Sequence, residues 1–214
     1  MKKMYIGRIV AVGRTPEGKN AAMYRVSSRS FPNRRIVRSG DQLAVIPREG
    51  CEADLAKNPY ISYNCLRLAG EWAVATNGSQ TDPIAEKIAS GMPVRDAISL
   101  GLLALDFEHD SLDTPRIVAA AHRSEPVGFL GIVRRDALLV REITLKDGEA
   151  FYLSTYEKNC PCDKNRDGDF IALNAVEATQ FVIDGGVFAE FTNPVTACAA
   201  VAAEGGFELA FKTV

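Results

Sequence analysis

Ala21-Ala22-Met23-Tyr24-Arg25-Val26-Ser27-Ser28-Arg29-Ser30-Phe31-Pro32-Asn33-Arg34-Arg35 begins as a strand and ends as a basic turn. Residues 21–28 alternate with the period of two that a strand requires, and Pro32 and Asn33 mark the turn that follows. From Tyr24 onward the stretch carries four arginines and three serines with no acid among them. Guanidinium forks and hydroxyls are the groups that hold phosphate or carboxylate oxygens, and a loop leaving a sheet is where binding groups commonly sit. The same side chains also suit a solvated sheet edge, so the rest of the chain has to decide between the two.

Working outward, residues 4–12 alternate and are β-branched, and turn formers fill 13–20, so 4–28 reads as a β-hairpin. Downstream, 41–47 is a further strand and 51–57 a short helix stopped by Asn58-Pro59. Residues 59–68 and 72–76 form a second hairpin. It empties into Asn77-Gly78-Ser79, small and polar residues placed just ahead of a helix at 82–89, where an anion is favoured. A second helix, 93–109, carries Val94, Ile98, Leu102 and Leu105 on one face. Strands follow at 117–121, 127–134, 137–145 and 150–156, then a helix at 175–183, a strand at 188–192, a small-residue helix at 194–203 and a closing strand at 207–211. Hairpins and helix pairs come in blocks rather than in strict alternation, which argues against a doubly wound parallel sheet. The expectation is one α+β domain over residues 1–214, with two antiparallel sheets and helices outside them in an αββα sandwich.

Composition narrows the function. A chain of 214 residues, 47% of them hydrophobic, suffices for a sizeable core. With 25 Lys and Arg against 27 Asp and Glu, positive charge is local, so a nucleic-acid partner is not expected. No apolar run reaches the length of a membrane span and no secretory leader opens the chain. Five scattered cysteines make no disulfide framework, and a reducing cytoplasm is the expected compartment.

Glu108 continues the apolar stripe of the 93–109 helix, which places a carboxylate at the buried face, where desolvation raises its pKa towards a range useful for proton transfer. The acids Asp106, Glu108 and Asp110 also oppose the helix dipole, a local violation of the kind found at functional sites. Asp163, Asn165, Asp167 and Asp169 follow the opening spacing of a calcium loop, although the twelfth position is Asn174 in place of a bidentate Glu. His109 and His122 lack ligand-like companions.

Several blocks, among them Gly7-Arg8, the stretch from Tyr24 to Arg34, Asn58-Pro59-Tyr60-Ile61-Ser62-Tyr63-Asn64-Cys65, Thr76-Asn77-Gly78-Ser79, Asp113-Thr114-Pro115-Arg116-Ile117 and Phe191-Thr192-Asn193-Pro194-Val195-Thr196-Ala197, together resemble the archaeal-type inosine monophosphate (IMP) cyclohydrolases over nearly the whole chain. That resemblance implies an N-terminal-nucleophile-hydrolase-like sandwich. It also implies closure of 5-formamidoimidazole-4-carboxamide ribonucleotide to IMP with loss of water, the last step of purine biosynthesis. By the same resemblance Arg25, Tyr63 and Glu108 line the reaction site, with Arg25 on the oxyanion, Tyr63 as donor or relay and Glu108 as proton shuttle. Arg29, Ser30, Asn33 and Arg34 are candidates for the ribose phosphate, and Asn64, Asn77, Gly78 and Ser79 for base or phosphate. No cofactor is expected, the partner is a purine ribonucleotide, and self-association into a homo-oligomer is anticipated. Met1-Lys2 offers no terminal nucleophile, so the amide-hydrolase chemistry of the parent fold is the alternative, with a non-catalytic purine-ribonucleotide-binding module as a third reading.

Overall fold

The computed structural model describes residues 3–214, so Met1 and Lys2, where a terminal nucleophile would be sought, lie outside the described residues. The strands in chain order are β1 (Ile9–Arg14), β2 (Asn20–Ser27), β3 (Arg34–Ser39), β4 (Gln42–Pro47), β5 (Tyr63–Ala69), β6 (Trp72–Thr76) and β7 (Arg116–His122). They continue with β8 (Val127–Arg134), β9 (Ala137–Thr144), β10 (Glu149–Ser154), β11 (Arg166–Asp167), β12 (Pro194–Ala203) and β13 (Gly206–Thr213). One sheet has six strands in the order β11-β10-β1-β2-β12-β13, the other seven in sequence order from β3 to β9, and every pairing is antiparallel. The helices are the single turn α1 (Asp54–Lys57), α2 (Thr81–Ala89), α3 (Val94–Leu105) and α4 (Ala175–Asp184).

Alternation along β2 shows how the layers arise. Tyr24 and Val26 point between the sheets, where they meet Leu43, Cys65 and Ala119 of the seven-stranded sheet. Met23 points the other way, into a second apolar layer with Phe181 and Val182 of α4. On the far side, Val118 and Ala120 of β7 meet Ile84 of α2 and Ile98 and Leu102 of α3. The order is therefore α4, six-stranded sheet, seven-stranded sheet, α2 with α3, the αββα arrangement that the block pattern and the resemblance imply.

Two local expectations are overturned. The Ala-rich 194–203 segment is the strand β12, not a helix. Its partners β2 and β13 flank it, and its small side chains let α4 approach on one face while the sheets meet on the other, so tertiary packing overrides the helix propensity of alanine. Residues Gly186–Glu190 form a 3-10 turn where a strand is expected. The basic turn after β2 leads into an edge strand, β3.

Candidate active site

Where the β2–β3 connection meets the segment entering β1 and the segment after α3, the protein has a cleft of about 170 Å3, lined among others by Arg8, Ser28, Ser30, Arg34, Glu108 and Tyr156. Gly7 makes the entry possible. It sits at φ 75°, and a Cβ there would lie 2.1 Å from the Thr155 hydroxyl, so only glycine fits the turn that delivers Arg8. Tyr5 forms part of the wall, with the Arg29 guanidinium 4.0 Å above its ring.

Glu108 reaches the cleft by a route that helical periodicity does not describe. Helix α3 ends at Leu105, and Asp106 reverses the chain at φ 53°, in the left-handed region. The Asp106 carbonyl accepts from Arg116 Nε at 2.8 Å, and the Glu108 N–H donates to the Thr114 carbonyl at 2.8 Å in an isolated bridge. Asp110 closes the loop by accepting from the Leu112 and Thr114 N–H groups. The result is a carboxylate only 1% exposed. One oxygen accepts from Arg8 Nη2 at 2.8 Å, and the other lies 4.0 Å from Arg116 Nη1. Burial raises its pKa, and Arg8, then Arg116, oppose the rise. That balance keeps the group available for proton transfer.

Among the described residues two buried side-chain polar atoms lack a hydrogen-bond partner, Glu108 Oε1 and Arg34 Nη1, and both residues line this cleft. Such orphans are costly in a core and are commonly kept for a ligand. One is an acceptor and the other a donor. Arg34 is otherwise anchored through Nε to the Phe31 carbonyl at 3.0 Å, and burial lowers its pKa while Tyr63 and Tyr24 hold it up.

Behind the guanidinium groups, Tyr24 of β2 and Tyr63 of β5 share a 2.6 Å hydrogen bond between phenols that spans the two sheets. Burial pushes both phenols up, while Arg34 and Arg8 pull Tyr63 down. Arg8, Tyr24 and Arg116 were not singled out as site residues in the sequence. Each stood in a motif, but nothing local shows that strands from opposite sheets bring them together. Tyr60 lies in a 3-10 turn, half-buried, with the Arg116 guanidinium 5.7 Å from its ring centroid.

The structure divides the sequence candidates. Ser30, Arg34 and Glu108 line the cleft, Tyr63 backs it and Arg29 stands on Tyr5 at its wall. Arg25 does not belong there. It alternates away from Tyr24 onto the α4 side of β2 and is wholly buried. Its guanidinium donates to the Ile183, Phe188, Phe191 and Thr192 carbonyls at 2.7–3.1 Å and to the Ser27 hydroxyl at 2.9 Å. No donor is left for a ligand. Asn33 is exposed outside the cleft, and Asn64 donates to Asp82 beneath α2. Asn77 clamps Gln80, Ile117 and Pro115, and Ser79 faces solvent. Gly78 has an indirect part, because a Cβ there would lie 2.6 Å from Arg116 Nη1. This turn holds Arg116 in position, with Arg116 Nη1 donating to Gln80 Oε1 at 3.0 Å.

The calcium-loop residues disperse as well. Asp163 accepts from Arg141 at the surface, Asn165 donates to the Lys158 and Cys160 carbonyls, and Asp167 accepts from the Asp169 and Val187 N–H groups. Among the described residues no three His, Cys, Asp or Glu are grouped to hold a metal ion. Calorimetric titration with calcium after chelator treatment is expected to give no binding heat; a saturable signal abolished by Asp167→Asn would restore the loop as a site.

In this αββα sandwich the end cleft joins a buried carboxylate to several guanidinium groups, an arrangement that can hold a small anionic molecule beside a proton-transfer group. The chain belongs to the IMP cyclohydrolase-like protein family, whose model matches residues 5–206. It is 49% identical to an IMP cyclohydrolase of Methanosphaera stadtmanae, over 92% of this chain and 94% of that protein. It is 46% identical to an IMP cyclohydrolase of Methanocella arvoryzae, over 96% of each, and 40% identical to one of Methanocaldococcus jannaschii, over 98% and 99%. No helix among the described residues is long and apolar enough to cross a membrane.

Proposed function

We propose that this enzyme is an IMP cyclohydrolase that closes 5-formamidoimidazole-4-carboxamide ribonucleotide to IMP with release of water, the last step of de novo purine biosynthesis. One observation carries the reading within the cleft: Glu108 Oε1 and Arg34 Nη1, an acceptor and a donor without protein partners, line the same small cavity. Ring closure needs both kinds of group. The carboxamide nitrogen attacks the formyl carbon, a C–N bond forms, and the carbonyl electron pair moves onto the formyl oxygen. Arg34 donates to that oxygen as charge develops. Glu108 takes a proton from the nitrogen and returns it to the oxygen, giving a carbinolamine. The formamido N–H proton follows as the C–O bond breaks, so one proton from each nitrogen leaves in the water, the C=N bond forms to the former formamido nitrogen and the carboxamide nitrogen keeps its remaining hydrogen.

Holding the two substituents together contributes the largest share, because the reaction is intramolecular and gains from near-attack geometry. Arg8 keeps Glu108 oriented through its 2.8 Å hydrogen bond, and the Tyr24–Tyr63 pair supplies polar backing. Ser28 accepts from the Phe31 N–H at 3.0 Å, which leaves its own O–H for the phosphate, together with Ser30 and Arg29. Five free cysteines, two of them buried with sulfurs 3.8 Å apart, suit a reducing cytoplasm.

A ring-closure assay on the purified chain, with no metal or folate added and chelator present, is expected to show the absorbance change of IMP formation. Ligand-induced stabilisation without turnover would instead make the protein a nucleotide-binding module.

A further inference from the structure

A second basic cavity lies on the other side of the Met4–Tyr5 segment. It has a volume of about 540 Å3 and opens between β10, the chain around β11 and the Gly186–Glu190 turn. Lys3, Lys158, Lys164 and Arg166 line it against one acid, Glu190. Arg166 has a partner in Glu149 at 3.3 Å, whereas the three lysine ammonium groups make no hydrogen bond or ion pair with the described residues. Cations crowded around a concavity without counter-charges raise the local positive potential and attract an anion.

The floor differs from the rim. Met4, Val187 and Ala189 give it apolar surface, with Tyr152 and Phe191 packed behind them, and Met4 is 45% exposed although it is held between Glu190 and Thr192 by backbone hydrogen bonds of 2.9 Å on each side. Tyr152 is 2% exposed, yet its hydroxyl makes no hydrogen bond with the described residues. Burial, then Glu190 and Asp167, push that phenol up to about 12, so it keeps a proton to donate. The volume falls within the roughly 300–1,000 Å3 usual for small-molecule sites, and is larger than the catalytic cleft.

We propose that this cavity binds a nucleoside triphosphate or diphosphate, with the base on the Met4, Val187 and Ala189 floor and the phosphates on Lys3, Lys158 and Lys164. Three unpaired lysines and the paired Arg166 against one carboxylate suit a polyphosphate better than the dianion of a monoester, and an apolar floor suits a planar base better than it suits a bare inorganic anion. The site is separate from the cleft but adjoins it, since Met4 lines one and Tyr5 the other. The inference does not depend on the chemistry assigned to the cleft.

Calorimetry of the full chain with ATP as probe tests this. One saturable site is expected, and Lys158→Gln with Lys164→Gln should weaken it at least about tenfold without changing the melting temperature, since Lys164 is exposed and Lys158 half-buried. Tyr152→Phe should weaken it less, and Arg34→Gln, in the cleft, should leave it unchanged. Tripolyphosphate should bind more weakly than ATP. Absence of a saturable signal, loss of ATP binding in Arg34→Gln but not in the lysine variant, or tripolyphosphate binding as tightly as ATP would each overturn the proposal.

Discussion

Glu108→Gln is expected to lower kcat for ring closure on the order of 10²–10⁴-fold, the usual worth of a positioned acid–base group, while the folded protein still binds IMP. The amide matches the carboxylate in size and keeps an oxygen to accept from Arg8, so the 2.8 Å contact can persist. What is lost is the ability to carry a proton from the carboxamide nitrogen to the formyl oxygen. The pH profile separates this from a packing defect. Glu108 must begin ionised, and burial raises its pKa above the ordinary carboxylate value. Activity of the native enzyme should therefore fall as pH drops through that raised value, with an acid limb displaced upward. In Glu108→Gln the residual rate should lose that limb. Near-normal turnover, or an unchanged acid limb, would remove Glu108 from the chemistry.

The route to Glu108 shows how far a sequence can be read. The carboxylate is found by extending the stripe of Val94, Ile98, Leu102 and Leu105, but α3 stops at Leu105 and the burial comes from the bridge to Thr114. The stripe names the right residue for a reason that geometry replaces. The hairpins and the other helices are legible because period two and period 3.6 survive in their apolar residues. β12 is not, because a run of alanines carries no period and its state is set by the strands on either side. The basic end of the cleft is legible as composition, in Arg29, Ser30 and Arg34. The Tyr24–Tyr63 contact and the convergence of Arg8 and Arg116 on Glu108 are not, since each joins residues far apart in the chain. Arg25 lies within the same basic stretch and goes the other way, because one step along a strand reverses the face.

Arg25→Met is therefore expected to destabilise the fold by at least about 3–5 kcal/mol, and not to impair turnover per folded molecule. Ile183 belongs to the last turn of α4, whose carbonyls have no intrahelical donor and carry the negative end of the helix dipole. Phe188, whose carbonyl also accepts from the Phe191 N–H at 3.2 Å, and then Phe191 and Thr192 follow in the next segment. A single guanidinium closes both sets, at 2.7–3.1 Å, and a thioether supplies none of those donors. Burial already draws Arg25 down to about 10, with Asp184 holding it up, so the charge is retained at neutral pH. Arg25→Lys keeps the charge but offers three donors on one nitrogen in place of a planar fork, and should fall between native and Met. Arg34→Gln provides the contrast: it should cost turnover with stability unchanged or raised, because it removes a buried nitrogen that has no protein partner. Urea denaturation alongside ring-closure rates normalised to folded protein distinguishes the two arginines. A stable Arg25→Met enzyme that has lost turnover would return Arg25 to the reaction and displace Arg34 from it.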